Sequence, residues 1–140
     1  MIQRIQTVWL LLATICAFIT LRLSFYSGMK VDDATKATVY THLNALSTNP
    51  LLIITVAIAA AAFVAIFLYK DRKRQLLITA GIAIGAILTI ALYFTQIKLY
   101  TQGQLNLTSI FSFLIPIFLL LAVRGIWKDE KLVKSTDRLR

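Results

Sequence analysis

The chain has 140 residues, 59% of them hydrophobic and 15% charged, against roughly 45–50% and about 25% in an ordinary soluble domain. Its Lys and Arg outnumber Asp and Glu 15 to 6 for a net charge of +9, and its mean hydropathy is +0.78. That balance speaks against a water-soluble fold and excludes a disordered chain, while 6 acidic residues, 1 His and 1 Cys leave little material for acid–base, metal or disulfide chemistry.

Crossing a bilayer's hydrocarbon takes about 20 mostly apolar helical residues. Four uncharged runs qualify or nearly so: residues 5–21, 51–69, 75–97 and 99–123. They are apolar on every side, which favours helices over the alternating strands of a barrel. The expectation is an all-α integral membrane protein forming a single domain over residues 1–140, with four transmembrane helices at about 5–24, 51–69, 75–97 and 106–124 in an antiparallel bundle. The first run could be read as a secretion signal. Its flank Leu21-Arg22-Leu23-Ser24 lacks the small-residue pair a signal peptidase reads, and Ile15 before Cys16 argues against a lipoprotein signal, so an uncleaved helix is expected.

Charge sets the direction, because Lys and Arg in short flanking segments resist translocation. With both termini on one side, that side carries Arg4, Lys70, Arg72, Lys73, Arg74, Arg124, Lys128, Lys131, Lys134, Arg138 and Arg140, while the other carries only Arg22, Lys30, Lys36 and Lys98. Both termini are therefore expected in the cytoplasm. The positive charge then reads as a topology signal, which removes most of the case for nucleic-acid binding.

Lipid gives apolar helices little reason to associate, so close packing relies on small residues. The second span carries Ala57, Ala61 and Ala65 at four-residue spacing, and the third carries Gly81 and Gly85 followed by Thr89. The turn between them is short, so these two small faces are expected to meet; a homodimer contact through Gly81 and Gly85 is the alternative. In the fourth span Pro116 lacks a backbone donor, which frees the carbonyl of Ser112 and predicts a kink.

No ionisable residue lies in the middle of any run, where an ion or proton path would place one. His42 shares its segment with Asp32 and Asp33, yet a single His without a nucleophile, metal partners or second base reads as a polar loop residue. Cys16 reads as a small packing residue. No catalytic, cofactor-binding or metal site is expected, and no enzyme.

Residues 27–49 form a long outer connection. Asp32-Asp33 could open a short helix carrying Ala37, Tyr40, Leu43 and Leu46 on one face, or Thr38 to Thr41 could form a strand. The tail, residues 125–140, reads as a basic amphipathic helix. Ile126, Leu132, Val133, Thr136 and Leu139 share one side, Trp127 suits the headgroup belt, and Lys128, Lys131, Lys134, Arg138 and Arg140 would meet anionic inner-leaflet lipids or a protein partner.

The opening Met1-Ile2-Gln3-Arg4-Ile5-Gln6-Thr7 and the closing Lys128-Asp129-Glu130-Lys131-Leu132-Val133-Lys134-Ser135 with Asp137-Arg138-Leu139-Arg140 resemble a family of small bacterial four-helix inner-membrane proteins classed as a domain of unknown function. The resemblance implies an inner-membrane protein of a Gram-negative bacterium and carries no activity, cofactor or catalytic residue. The expected role is a non-enzymatic structural or accessory component whose tail contacts the inner leaflet, an unidentified protein partner or a second copy; the alternative is a small oligomeric transporter or channel.

Overall fold

A computed structural model of the chain describes residues 3–31 and 36–137. Four helices dominate it: α1 (Gln3–Thr20), α2 (Asn49–Phe67), α3 (Arg72–Ile97) and α4 (Ile110–Asp137). Three strands, β1 (Ser24–Val31), β2 (Thr38–Asn44) and β3 (Tyr100–Leu105), lie between them. Among the described residues, Asn49–Lys70, Arg72–Ile97 and Leu107–Val133 are long and apolar enough to cross a membrane, whereas the apolar part of α1, Ile5–Thr20, is shorter.

The helices pack side by side, α1 against α2 and α4, and α3 against the same two. Their shared core is built from Leu10, Ala13 and Ala17 of α1, Ala59 and Ala62 of α2, Ala83 and Ala86 of α3, and Leu119 and Ala122 of α4. One small side chain after another lets the backbones approach and gain dispersion contacts that lipid tails would otherwise supply.

The small stripe expected on α2 and α3 is displaced. Ala65 and Thr89 are buried and Ala61 is half-buried, but Ala57 and Gly81 face outward. A Cβ built on Gly81 would meet nothing within 4 Å, and one on Gly85 would touch Ile58 at 3.7 Å. The reason is that each helix has two neighbours rather than one, so its buried face turns toward the space between them. Leu51, Thr55, Ile58, Ala59, Ala62 and Ala65 form that face on α2, one residue off the expected register.

The connections are where the structure departs most from an all-α reading. Instead of a helix, Thr38–Asn44 is a strand, as its β-branched and aromatic residues also allowed, and it pairs antiparallel with β1; Asp32, Asp33 and Ala34 lie outside the described residues. β1 is the middle strand of the order β2-β1-β3. A lone helix at this place would have had no apolar bed, while the sheet gives the backbone polar groups partners where the helices stop. The first helix therefore ends at Thr20 rather than near residue 24, because Ser24 onward belongs to the sheet, and the fourth begins at Ile110 rather than 106.

Phe25 of β1 fastens the sheet to the helix ends. Its ring stacks on Tyr93 of α3 with centroids 4.3 Å apart, and Leu43 and Leu51 complete this second core. Between β1 and β3 the chains come close at Gly28 opposite Gly103. A Cβ on Gly103 would lie 2.5 Å from the Ser27 carbonyl oxygen and 2.6 Å from the Tyr26 ring. Gly103→Ala is therefore expected to destabilise the protein by about 1–3 kcal/mol through overpacking, whereas Gly81→Ala, which meets open space, should be neutral or stabilising by up to about 1 kcal/mol. Thermal unfolding of the two variants in the same detergent checks the contrast.

Candidate functional site

The ends of the helices opposite the sheet carry most of the charge. α2 closes with a 3-10 turn at Leu68–Lys70, and α3 opens directly after Asp71. The chain is turned here by a backbone bond from the Asp71 N–H to the Leu68 carbonyl, 3.1 Å, and α3 starts with the Gln75 N–H on the Asp71 carbonyl, 2.9 Å. The buried Gln75 side chain reaches back, donating from Nε2 to the Ala65 carbonyl at 2.9 Å. That bond adds to the one the Ala65 carbonyl, in the last turn of α2, already accepts from the Leu68 N–H.

On the other side of this end, α1 and α4 are joined by a buried polar pair. Gln6 Nε2 donates to Asp129 Oδ2, and both side chains are almost fully enclosed, 7% and 6% exposed. Gly125, one turn before Asp129, makes room for it: a Cβ there would stand 2.9 Å from Gln6 Cγ. Arg72 Nη1 donates to the Asp129 backbone carbonyl at 3.5 Å, a long bond that brings α3 to the same place. Three helices thus converge on Asp129.

Next to this junction an open cleft of about 480 Å³ is lined by residues 70–74 of the α2–α3 turn together with Glu130 and Val133 of α4. Four of its residues are cations, Lys70, Arg72, Lys73 and Arg74, against the two carboxylates Asp71 and Glu130. The exposed Arg74–Asp71 pair at 3.7 Å contributes little to stability at such a solvated position. The net positive wall suits an anion.

The tail does not form a separate helix. α4 runs without interruption through Pro116 to Asp137, so residues 125–137 continue the fourth helix. Ile126 is wholly buried, while Leu132 is 50% and Val133 44% exposed, so the expected single apolar side is split between the interior and the surface. Thr136 and Lys134 side chains, and Leu139, Arg138 and Arg140 altogether, lie outside what is described. Trp127 is exposed, with Lys131 Nζ 6.0 Å from its ring centroid, and Lys128 is exposed as well. By helical spacing Lys128 lies on the side of α4 away from Glu130 and Val133, whereas Trp127, three residues before Glu130, borders the cleft side.

At the sheet end a polar cluster joins β1, β2 and the start of α4. The Ser27 hydroxyl lies 2.7 Å from His42 Nδ1, and Asn106 Nδ2 donates to Ser27 Oγ at 2.6 Å. Ser27 is 3% exposed, which makes the cluster a brace between strands. Between the helices, Thr20, Thr55, Thr89 and Ser112 border a cavity with about 20 Å³ of room for a water-sized sphere, far below the roughly 300–1,000 Å³ of small-molecule sites.

Apolar patterning does not single out Gln6, Gln75 or Asp129, although Gln6 interrupts one apolar run and Gln75 opens another, whereas Asp129 stands among the charges of the tail. Gln6→Leu should leave the Asp129 carboxylate buried without its donor and destabilise the protein by about 1–3 kcal/mol. Limited proteolysis should then cut α4 beyond Gly125 faster than in the parent protein, with the sheet-end connections cut at an unchanged rate.

The family described as Domain of unknown function (DUF4293) matches residues 2–139. No curated protein and no solved structure matches the chain. With the match running over nearly its whole length, the chain belongs to this family of unknown function.

Proposed function

We propose that the protein is a four-span integral component of a bacterial inner membrane, with both termini in the cytoplasm, acting as a non-enzymatic accessory protein through its basic end. The observation that carries this reading is the convergence of α1, α3 and α4 on the buried Asp129. It holds the tail upright at the end of the molecule where the charge asymmetry lies, with Trp127, Lys128 and Lys131 exposed on its surface. Such a post presents cations to lipid headgroups or to a partner while the spans hold it in place.

Two further points favour it over a transporter. The small cavity between the helices leaves no room for a solute larger than water, and its lining, Thr20, Thr55, Thr89, Ser112 and Tyr93 among aliphatic residues, includes no ionisable carboxylate or amine. α1 reaches across as a span with help from the residues that follow it. Its mostly apolar stretch from Ile5 to Thr20 rises about 24 Å at 1.5 Å per residue, and β1 with Phe25 extends the apolar column beyond that point.

Reporter fusions test the topology: one inserted at Asn44 and one after Arg140 should report opposite compartments, and the second should report the cytoplasm. Deleting residues 132–140 should leave the protein resistant to carbonate extraction while releasing any co-purifying protein. A truncated protein that keeps every partner and every cellular phenotype would sink the tail as the working element.

A further inference from the structure

We infer that the cleft at the α2–α3 turn is a binding site for the phosphodiester headgroup of an anionic glycerophospholipid. The inference rests on the reading that this end of the molecule lies at a membrane surface, and it goes further by naming the ligand and the residues that hold it.

The charges in the cleft are unevenly engaged. Asp71 is approached by Arg74 at 3.7 Å, and Arg72 turns one guanidinium nitrogen to the Asp129 carbonyl at 3.5 Å. Lys70 and Lys73 line the same cleft and have no ion-pair partner among the described residues. Two ammonium groups with six N–H donors between them therefore face an open space of about 480 Å³, where a phosphodiester oxygen pair would receive both charge and hydrogen bonds.

The surroundings identify the source of the phosphate. On α3, Leu77 follows Lys73 by four residues and Ile78 follows Arg74 by four, so each apolar side chain sits just over one turn, about 6 Å, deeper on the same side as its cation. Leu77 is 73% exposed, Phe67 at the close of α2 is 63% exposed and Tyr69 is 59% exposed. The cations thus stand directly above uncovered apolar surface. A soluble phosphate would use the cations alone and leave that surface wet, whereas a phospholipid satisfies both parts, its headgroup between Lys70 and Lys73 and its acyl chains along Leu77 and Phe67. The lysine stems can lie along the same apolar surface with their ammonium groups at headgroup level.

The test uses the full-length protein purified in a neutral detergent and titrated with phosphatidylglycerol or phosphatidylcholine, bound lipid being counted by native mass spectrometry. Phosphatidylglycerol should be retained at least tenfold more tightly. In the Lys70→Gln, Lys73→Gln double variant that preference should fall by more than tenfold, at about fivefold per removed cation. Addition of inorganic phosphate at equal concentration should fail to displace the lipid. Equal retention of the two lipids by the parent protein, an unchanged preference in the double variant, or displacement by inorganic phosphate each overturns the inference. Carbonate extraction of the cell membranes from which the protein is purified, done before detergent is added, separates this from the parent reading: a protein that stays in the membrane yet shows no lipid preference loses only the site, whereas one that washes out loses the membrane placement itself.

Discussion

Apolar surroundings offer a backbone no hydrogen bonds, and a chain this apolar must meet the needs of its polar groups from within. Where the sequence is apolar on all sides, the polar groups of the main chain are enclosed in α-helices, whose ladders are complete within one segment. Hydroxyl side chains inside the helices obey the same rule. Thr14, Thr55, Thr79 and Thr89 each donate to the carbonyl four residues earlier, so they present no free donor to their surroundings. With the polar groups satisfied, the helices attract one another only as far as shape permits, and the alanines and the compact residues of the core set how near they come.

The ends of the helices are where the constraint is hardest to meet, and the protein meets it differently at its two ends. At one end the chain passes into strands, so that each departing backbone finds a partner in a three-stranded sheet, and the stack of Phe25 on Tyr93 seals the joint. At the other end side chains do the work. Gln75 reaches the Ala65 carbonyl, Gln6 serves Asp129, and Arg72 adds a weaker contact to the Asp129 backbone. The first solution makes a cap whose two outer strands are largely exposed. The second makes a corner beside which Lys70 and Lys73 stand with no ion-pair partner among the described residues.

That difference bears on function. A buried carboxylate is costly unless it is bonded, and removing its partner is more damaging than the bond itself is stabilising. Keeping Asp129 in the corner thus fixes the relative positions of α1, α3 and α4 at the end where the chain is most basic. The fourth helix continues unbroken from the packed helices into the tail, so its tryptophan and lysines are held on a helix rather than on a loose strap. The cleft beside it gains its walls from two different segments, the α2–α3 turn and α4, and exists only because the corner brings them together.

The sequence by itself determined the four apolar helices and the basic end, because these rest on length, composition and charge, all of which are local quantities; the family rests on the residues themselves. It also marked Thr38 to Thr41 as possible strand through its β-branched and aromatic residues. Which faces meet was decided by tertiary structure alone. Ala57 and Gly81 satisfy a small-residue spacing as well as Ala62 and Ala86 do, and only the presence of two neighbours around each helix chooses between them. The same holds for the sheet, whose strand at Tyr100–Leu105 pairs with a segment some seventy residues away, and for Gln6 and Asp129, separated by 123 positions. A periodicity can state that a side chain is buried; it has no means of stating against what, since contact across such a distance depends on how every intervening helix is placed.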